Sequence, residues 1–261
     1  MLVLRIFVYV VVAFMLLPLL ITFPVAITSV SRISFPPIGI SDRWFLAIFT
    51  DTVLLKSIFL SFWLALCAAV IAIVIALPCA FVIQRARLPG NDIIETWITG
   101  PRMIPQIVLA LALLAYFETI GLAETFIGLV IAHLVITIPF AFRIILVCVS
   151  TLDIRLESSS AVLGATRLYT FYRIIAPQLK TGLIAAFIFT FILSFNNVTL
   201  ALFLSGFGQR TFPVEMFQRM SVGGMTPVIP AISFVLAILG VGIFVILDRT
   251  IGVYRYLAGR D

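Results

Sequence analysis

Long apolar runs separated by short polar stretches fill the chain. The first run covers 6–30, with Pro18 and Pro24 inside it, and the others cover 57–83, 103–120, 126–149, 181–204 and 228–247. A helix rises 1.5 Å per residue, so about 20 apolar residues are needed to cross a hydrocarbon core of roughly 30 Å. The pattern therefore predicts an all-α membrane protein of about six transmembrane helices, a single domain over 1–261. Prolines inside such spans are tolerated where neighbours satisfy the freed carbonyls. The run 103–120 is the shortest, and Pro105 falls in its first turns. The stretch 31–56 is polar, with Pro36-Pro37 and Ser41-Asp42-Arg43, and Leu88-Pro89-Gly90-Asn91 reads as a turn.

Composition agrees with this pattern. Of 261 residues, 63% are apolar and 11% charged, against about half and a quarter in soluble domains. In water, such a chain would expose large apolar patches. The first run is too long for a cleaved signal peptide, whose apolar core is about 7–15 residues, and reads as a retained span. Cys67, Cys79 and Cys148 all lie inside apolar runs at spacings that match no metal motif. They read as small buried hydrophobes.

Charge gives an orientation. With a cytoplasmic N-terminus, the outside segments hold Arg32, Arg43, Lys56, Arg210 and Arg219, balanced by Asp42, Asp51, Glu118, Glu124 and Glu215. The whole formal excess of +6 then lies inside, as the bias of Lys and Arg towards cytoplasmic loops requires. An even number of spans puts both termini in the cytoplasm. The pI of about 9.7 is then a topology signal. It does not point to nucleic acid, since no basic patch is interleaved with stacking aromatics.

The segment 150–180 is the longest expected cytoplasmic one, and its period is helical in two pieces. Asp153 can cap the first piece, and Gly164 can end it in the left-handed conformation. Thr166 can cap the second, and Pro177 can stop it or open the next span. The expected result is a pair of short helices outside the membrane, with small residues at 158–161 and aromatics at Tyr169, Phe171 and Tyr172. Small residues admit a close surface and aromatics supply anchors, which is the chemistry of a docking element.

This segment resembles the cytoplasmic EAA loop of ABC importer permeases, which reads Glu-Ala-Ala, three residues, Gly, and Pro after a fixed gap. Aligned on Gly164 and Pro177, the triplet falls on Ser158, Ser159 and Ser160. Glu157 stands one position earlier, and the residues leave open whether it replaces the missing glutamate. Asp153, Arg155, Leu163 and Ala165 suit the family. Over nearly the whole chain the resemblance is to the second permease of spermidine/putrescine-type systems. It is carried by His133 followed by Pro139-Phe140, and by Ser194-Phe195-Asn196-Asn197-Val198 leading into Leu204-Ser205-Gly206.

The resemblance implies the type I ABC importer permease fold in a bacterial inner membrane. The loop would be a coupling helix seated on an ATPase subunit, with Glu157, Ser158, Ser159, Ser160, Gly164, Ala165 and Pro177 in the coupling element. It also implies a second homologous permease, two ATPase subunits and an extracytoplasmic substrate-binding protein. The chain would be non-catalytic, moving a small polar or cationic solute of polyamine type or related kind by alternating access. Its two lysines, Lys56 and Lys180, do not follow a glycine. No phosphate loop exists, so ATP and Mg belong on the partner ATPase, and no cofactor or metal is expected on this chain.

Polar groups inside spans are costly in lipid and face a bundle interior or a cavity. The candidates are Gln106, His133, Arg143, Asn196 and Asn197. Gln106, His133, Asn196 and Asn197 are the expected wall of the translocation path. His133 reads either as a helix–helix hydrogen bond or as a solute contact, and the asparagine pair either as packing or as path. Arg143, near a span end, is expected to snorkel. Polyamine permeases often carry acids near the asparagine pair. A neutral amide donates and accepts, which suits a polar or zwitterionic solute better than a bare polycation. That leaves opines and aminophosphonates among the solutes. An ion-gradient-driven secondary transporter is the alternative, but the repeats and buried carboxylates usual in that class are not visible. A membrane enzyme would need a nucleophile or metal cluster, and the lone His133 has no intramembrane acid nearby.

Overall fold

The computed structural model describes residues 2–86, 89–206, 208–222, 224 and 226–251. Among these, every regular element is helical: α1 (Leu2–Ala26), α2 (Arg43–Thr50), α3 (Thr52–Ala86), α4 (Asn91–Thr99), α5 (Gln106–Ile120), α6 (Phe126–Ser150), α7 (Ile154–Val162), α8 (Arg167–Thr170), α9 (Ala176–Phe195), α10 (Thr199–Leu204), α11 (Phe212–Val222) and α12 (Val228–Ile251). A 3-10 turn, Gly100–Met103, extends α4, and a π turn, Phe171–Ile175, joins α8 to α9. Each of the six expected runs overlaps at least one helix. Among the described residues, α1, α3, α6 and the run Arg167–Phe195 are each long and apolar enough to cross a bilayer, and α12 adds an apolar stretch, Val228–Ile243.

The described residues form two compact units, 2–58 with 215–250, and a second that contains 59–214. In the first, α1 exposes apolar side chains around nearly its whole circumference, as a lipid-facing helix does. It ends at Ala26, before the expected residue 30, because the chain folds back on itself. Ser29 N–H donates to the Ile38 carbonyl at 3.0 Å, and Ser41 N–H to that of Ile27 at 2.7 Å. The stretch 31–56, read from sequence as polar connection, contains the amphipathic helix α2. Its Trp44 indole donates to the Thr28 carbonyl at 2.7 Å, and Ile48 is buried.

Asp51 closes α2 and opens α3. One carboxylate oxygen accepts from Leu54 N–H at 3.0 Å, and the other accepts from Arg219 at 2.6 Å. Arg219 also donates to the buried Glu215 at 2.7 Å. The hydrogen bond from Arg219 holds the Asp51 carboxyl below its ordinary 3.8. A depressed folded-state pKa contributes stability above the unfolded value, and that contribution is lost as pH falls through the folded one. Asp51→Asn is therefore expected to lower stability in detergent by roughly 1 kcal/mol, a modest figure because the pair lies near water. The deficit should be constant from about pH 5 upward and should shrink below about pH 4. Thermal unfolding across pH checks this, and a deficit that grew on acidification would contradict it.

In the second unit α6 is the centre. One side packs Ala141, Phe142, Ile145 and Val149 with Ala72, Ala76 and Ala80 of α3 and Leu179 and Ala186 of α9. The other packs Leu129, Ala132 and Ile136 with Leu64 of α3, Leu109 and Phe117 of α5 and Leu200 and Leu204 of α10. Without a hydrophobic drive between helices in lipid, small side chains promote association by letting backbones approach. Ala65, Ala68, Ala69, Ala72, Ala76 and Ala80 make such a stripe along α3, all fully buried.

Two expected spans are corrected. The third is a broken element: Asn91–Met103 meets Gln106–Ile120 at 96°. Proline disfavours the helical region in the residue before it, so Ile104 is extended and Pro105 caps α5 from outside. The 15 residues of α5 reach only about 22 Å, less than the bilayer core. Two contacts hold the bent segment to α6: Glu95 pairs with Arg143 at 2.5 Å, and the Arg102 guanidinium lies 4.2 Å over the Phe140 ring. Arg143 thus reaches an acid partner at the end it was expected to snorkel towards.

The fifth span begins earlier than expected, since Arg167–Phe195 is one apolar helical run of 29 residues, and it stops at Asn196 instead of reaching 204. The second short helix of the loop is therefore not separate from the span. Pro177 would clash with the carbonyl four residues back in a regular helix. The wider π turn precedes it, with Ala176 N–H bonded to the Phe171 carbonyl.

Candidate functional site

The loop between α6 and α9 takes its shape from local chemistry. The Asp153 carboxylate accepts from Arg155 N–H at 2.9 Å and starts α7. At its end Gly164 has φ +80°. Gly164 N–H donates to the Ala161 carbonyl at 3.0 Å and Ala165 N–H to that of Ser160 at 3.1 Å. This pair of bonds is the Schellman arrangement, which requires a left-handed residue where glycine stands. Thr166 then caps α8, its hydroxyl accepting from Tyr169 N–H at 3.2 Å. Each of the three local expectations for Asp153, Gly164 and Thr166 holds.

The faces of α7 divide. Ser160 is buried and hydrogen-bonded to the Thr170 hydroxyl. Glu157 turns inward and pairs with Arg85 at the end of α3, 2.9 Å away. Ser158 and Ser159 face outward. Beside them, Val162 and Leu163 are 87% and 86% exposed, and Leu168, Tyr169 and Tyr172 are exposed across the bend. Ala165 is half-buried and Pro177 exposed. The loop thus presents apolar side chains outward among the exposed Arg155, Arg167 and Arg173, while Ser160 and Thr170 are held within.

The expected path residues fall in two small networks. His133, wholly buried on α6, shares a hydrogen bond of 2.7 Å with Ser194 of α9 through Nδ1. Asn197 is buried where the chain breaks between α9 and α10. Its Oδ1 accepts from Leu200 N–H at 2.9 Å, and its Nδ2 donates to Gln106 Oε1 at 3.4 Å. Gln106, the first residue of α5, and Asn196, just past α9, are both exposed. The structure therefore joins Gln106 to Asn197 and leaves Asn196 exposed. The two asparagines lie in a helix break, so the 100° spacing of adjacent helical residues does not govern where they point. The cavity lined by Pro78, Cys79, Val82, Ile83, Ile94 and Ile98 is apolar and contains none of these residues.

Sequence reasoning missed Arg85, Glu95 and Ser194. Their partners lie far away in the chain, and the local signal was a charge beside an apolar run or a hydroxyl inside one.

Comparison with known proteins gives consistent matches. Residues 72–253 match the family of binding-protein-dependent transport system inner membrane components. The chain is 25% identical over 208 residues to the spermidine/putrescine transport system permease protein PotC of Haemophilus influenzae, covering 80% of each chain. It is 28% identical over 202 residues to the putrescine transport system permease protein PotI of Escherichia coli K12, covering 75% of this chain and 72% of that one. A chain in the crystal structure of a bacterial ABC transporter that imports the acidic polysaccharide alginate superposes with a TM-score of 0.74 at 14% identity, over 96% of this chain and 95% of that one.

Proposed function

The chain belongs to the family of binding-protein-dependent transport system inner membrane components, and from that premise we propose how it couples and what it carries. It is a multi-pass inner-membrane permease subunit of an ABC importer, non-catalytic, with the type I permease fold. We infer that α7, the Gly164 bend and α8 dock on a separate ATPase subunit, which holds ATP and Mg. The observation that carries this is the outward apolar surface of Val162, Leu163, Leu168, Tyr169 and Tyr172 on a rigidly capped bend. Large exposed apolar patches on a loop outside the bilayer mark interaction sites. The remaining partners are a second permease, a second ATPase copy and an extracytoplasmic binding protein.

The solute class is small and polar or cationic, and two relatives whose names specify putrescine or spermidine support it. Gln106 and Asn196, both exposed, are the proposed contacts of the path, with Asn197 hydrogen-bonded to Gln106 and His133 to Ser194 behind them. Alternating access would open and close this wall as the ATPases close and part.

The one-sided excess of Lys and Arg supports an orientation with both termini and the α7–α8 loop in the cytoplasm. The same probe tests orientation and docking. In a cysteine-free background, Asp42→Cys is expected to react with an impermeant maleimide from outside. Ser159→Cys should react only from inside, and addition of the ATPase should protect it. Labelling of Ser159→Cys in intact cells would overturn the orientation, and full reactivity in the assembled complex would overturn the docking.

A further inference from the structure

We propose that Arg85 is a positioning residue for coupling: its ion pair with Glu157 ties α7 to the end of α3, so that a displacement of α7 reaches α3 as well as α9. The proposal rests on the reading of α7 as the ATPase-docking helix.

Two anchors lie on the inner side of α7. Glu157 and Ser160 are three residues apart and share a helix face. Ser160 bonds to Thr170, and α8 runs through the π turn into α9. Glu157 faces the other way, in an ion pair with Arg85. The contacting atoms, Arg85 Nε and Glu157 Oε1, are shut off from solvent and make no hydrogen bond, so the contact is one of charge. Arg85 has a second hold, its Nη2 donating to the Leu152 carbonyl at 3.3 Å, just ahead of the Asp153 cap. One planar guanidinium thus pairs in charge with the carboxylate while a separate nitrogen donates to the backbone that leads into α7, a reach over two points that a lysine ammonium does less well. One turn earlier on α3, Phe81 meets Phe171 of the π turn edge-on at 5.8 Å. The end of α3, α7 and the start of the α8–α9 run therefore close a triangle of contacts.

The position of the acid matters. A glutamate at 158 would point about 100° away from one at 157, onto the outward face with Ser159 and Val162. In this chain the acid is turned inward, where it serves as an internal strut and leaves docking to small and apolar side chains. Energy entering at α7 then has two routes into the bundle: the hydroxyl pair to α9 and the ion pair to α3.

The test uses the complete importer in vesicles, with both permeases, the ATPase and the binding protein. Arg85→Gln and Glu157→Gln are each expected to retain the ATPase at wild-type amounts while solute taken up per ATP hydrolysed falls at least about fivefold, the lower end of coupling between sites. Arg85→Lys should fall less. The charge swap, Arg85→Glu with Glu157→Arg, should return the ratio to within about twofold of wild type. If Arg85→Gln does not insert, Glu157→Gln reads the same quantity with the arginine in place. Wild-type ratios in both single variants, or a swap no better than the singles, overturn the proposal. So does loss of the ATPase from Glu157→Gln alone, which would make Glu157 a docking contact. Failure of the docking reading shows separately, as full ATPase retention by Gly164→Val whatever the swap does.

Discussion

Replacing Gly164 by valine is expected to weaken recovery of the partner ATPase with this permease by about tenfold, without affecting membrane insertion. The backbone there has φ +80°, and a left-handed conformation costs a non-glycine residue roughly 1–2 kcal/mol, with the upper end fitting a β-branched side chain. A Cβ at this position would meet nothing within 4 Å, so backbone strain alone acts and steric overlap does not. Relieving the strain swings α7 relative to α8, and Val162 and Leu163 leave the common surface with Leu168 and Tyr169. The ATPase must then restore the bend from its own binding energy, and each 1.4 kcal/mol of that is about tenfold in affinity. A graded series isolates the cause. Gly164→Asn, whose side chain tolerates the left-handed region, should remain near wild type, and Gly164→Ala should fall between. Copurification of the ATPase from detergent measures all three, and an unchanged yield with valine would refute the coupling role of the bend.

How far the fold was legible follows from which forces are local. Apolar run lengths marked the helices because span length is set by bilayer thickness, a property of the solvent. Asp153, Gly164 and Thr166 were legible because capping and left-handed turns are decided within a few residues. The 96° break at Ile104-Pro105 was half legible: the proline was visible, but the direction taken by α4 depends on Glu95 meeting Arg143 and Arg102 meeting Phe140, contacts between separate elements. The helix α2 was missed because the prolines and polar residues ahead of it dominate the stretch 31–56. The run of helix through Phe171–Ile175 was hidden because Pro177 reads locally as a stop, and only the wider π turn lets the chain continue. At the site, residue types were readable and partners were not. The pairing of Asn197 with Gln106 and of Glu157 with Arg85 are tertiary outcomes, since neither residue has that partner nearby in sequence.

Asn197→Leu is expected to cut uptake several-fold and lower the stability of the subunit by about 2 kcal/mol, whereas Asn196→Leu should slow uptake with stability changed by less than about 0.5 kcal/mol. The difference comes from their places at one break. Asn197 is buried, and its Oδ1 serves the first turn of α10 through Leu200 N–H while its Nδ2 reaches Gln106. Leucine has nearly the same size but neither group, so a buried N–H and the α5–α10 link are lost together. Asn197→Asp keeps the capping oxygen and loses the donor, so it should recover most of the stability and leave Gln106 unrestrained. Asn196 is exposed, with its backbone N–H donating to the Ile192 carbonyl at 3.0 Å. Removing that amide takes a polar contact from the proposed path without disturbing a cap. Solute choice should change little in either variant, because delivery by a binding protein sets specificity ahead of this step. Uptake in vesicles and thermal unfolding in detergent, measured on the same preparations, separate the two roles. Wild-type uptake by both leucine variants at normal expression would mean that the asparagines only pack helices and that the path lies elsewhere.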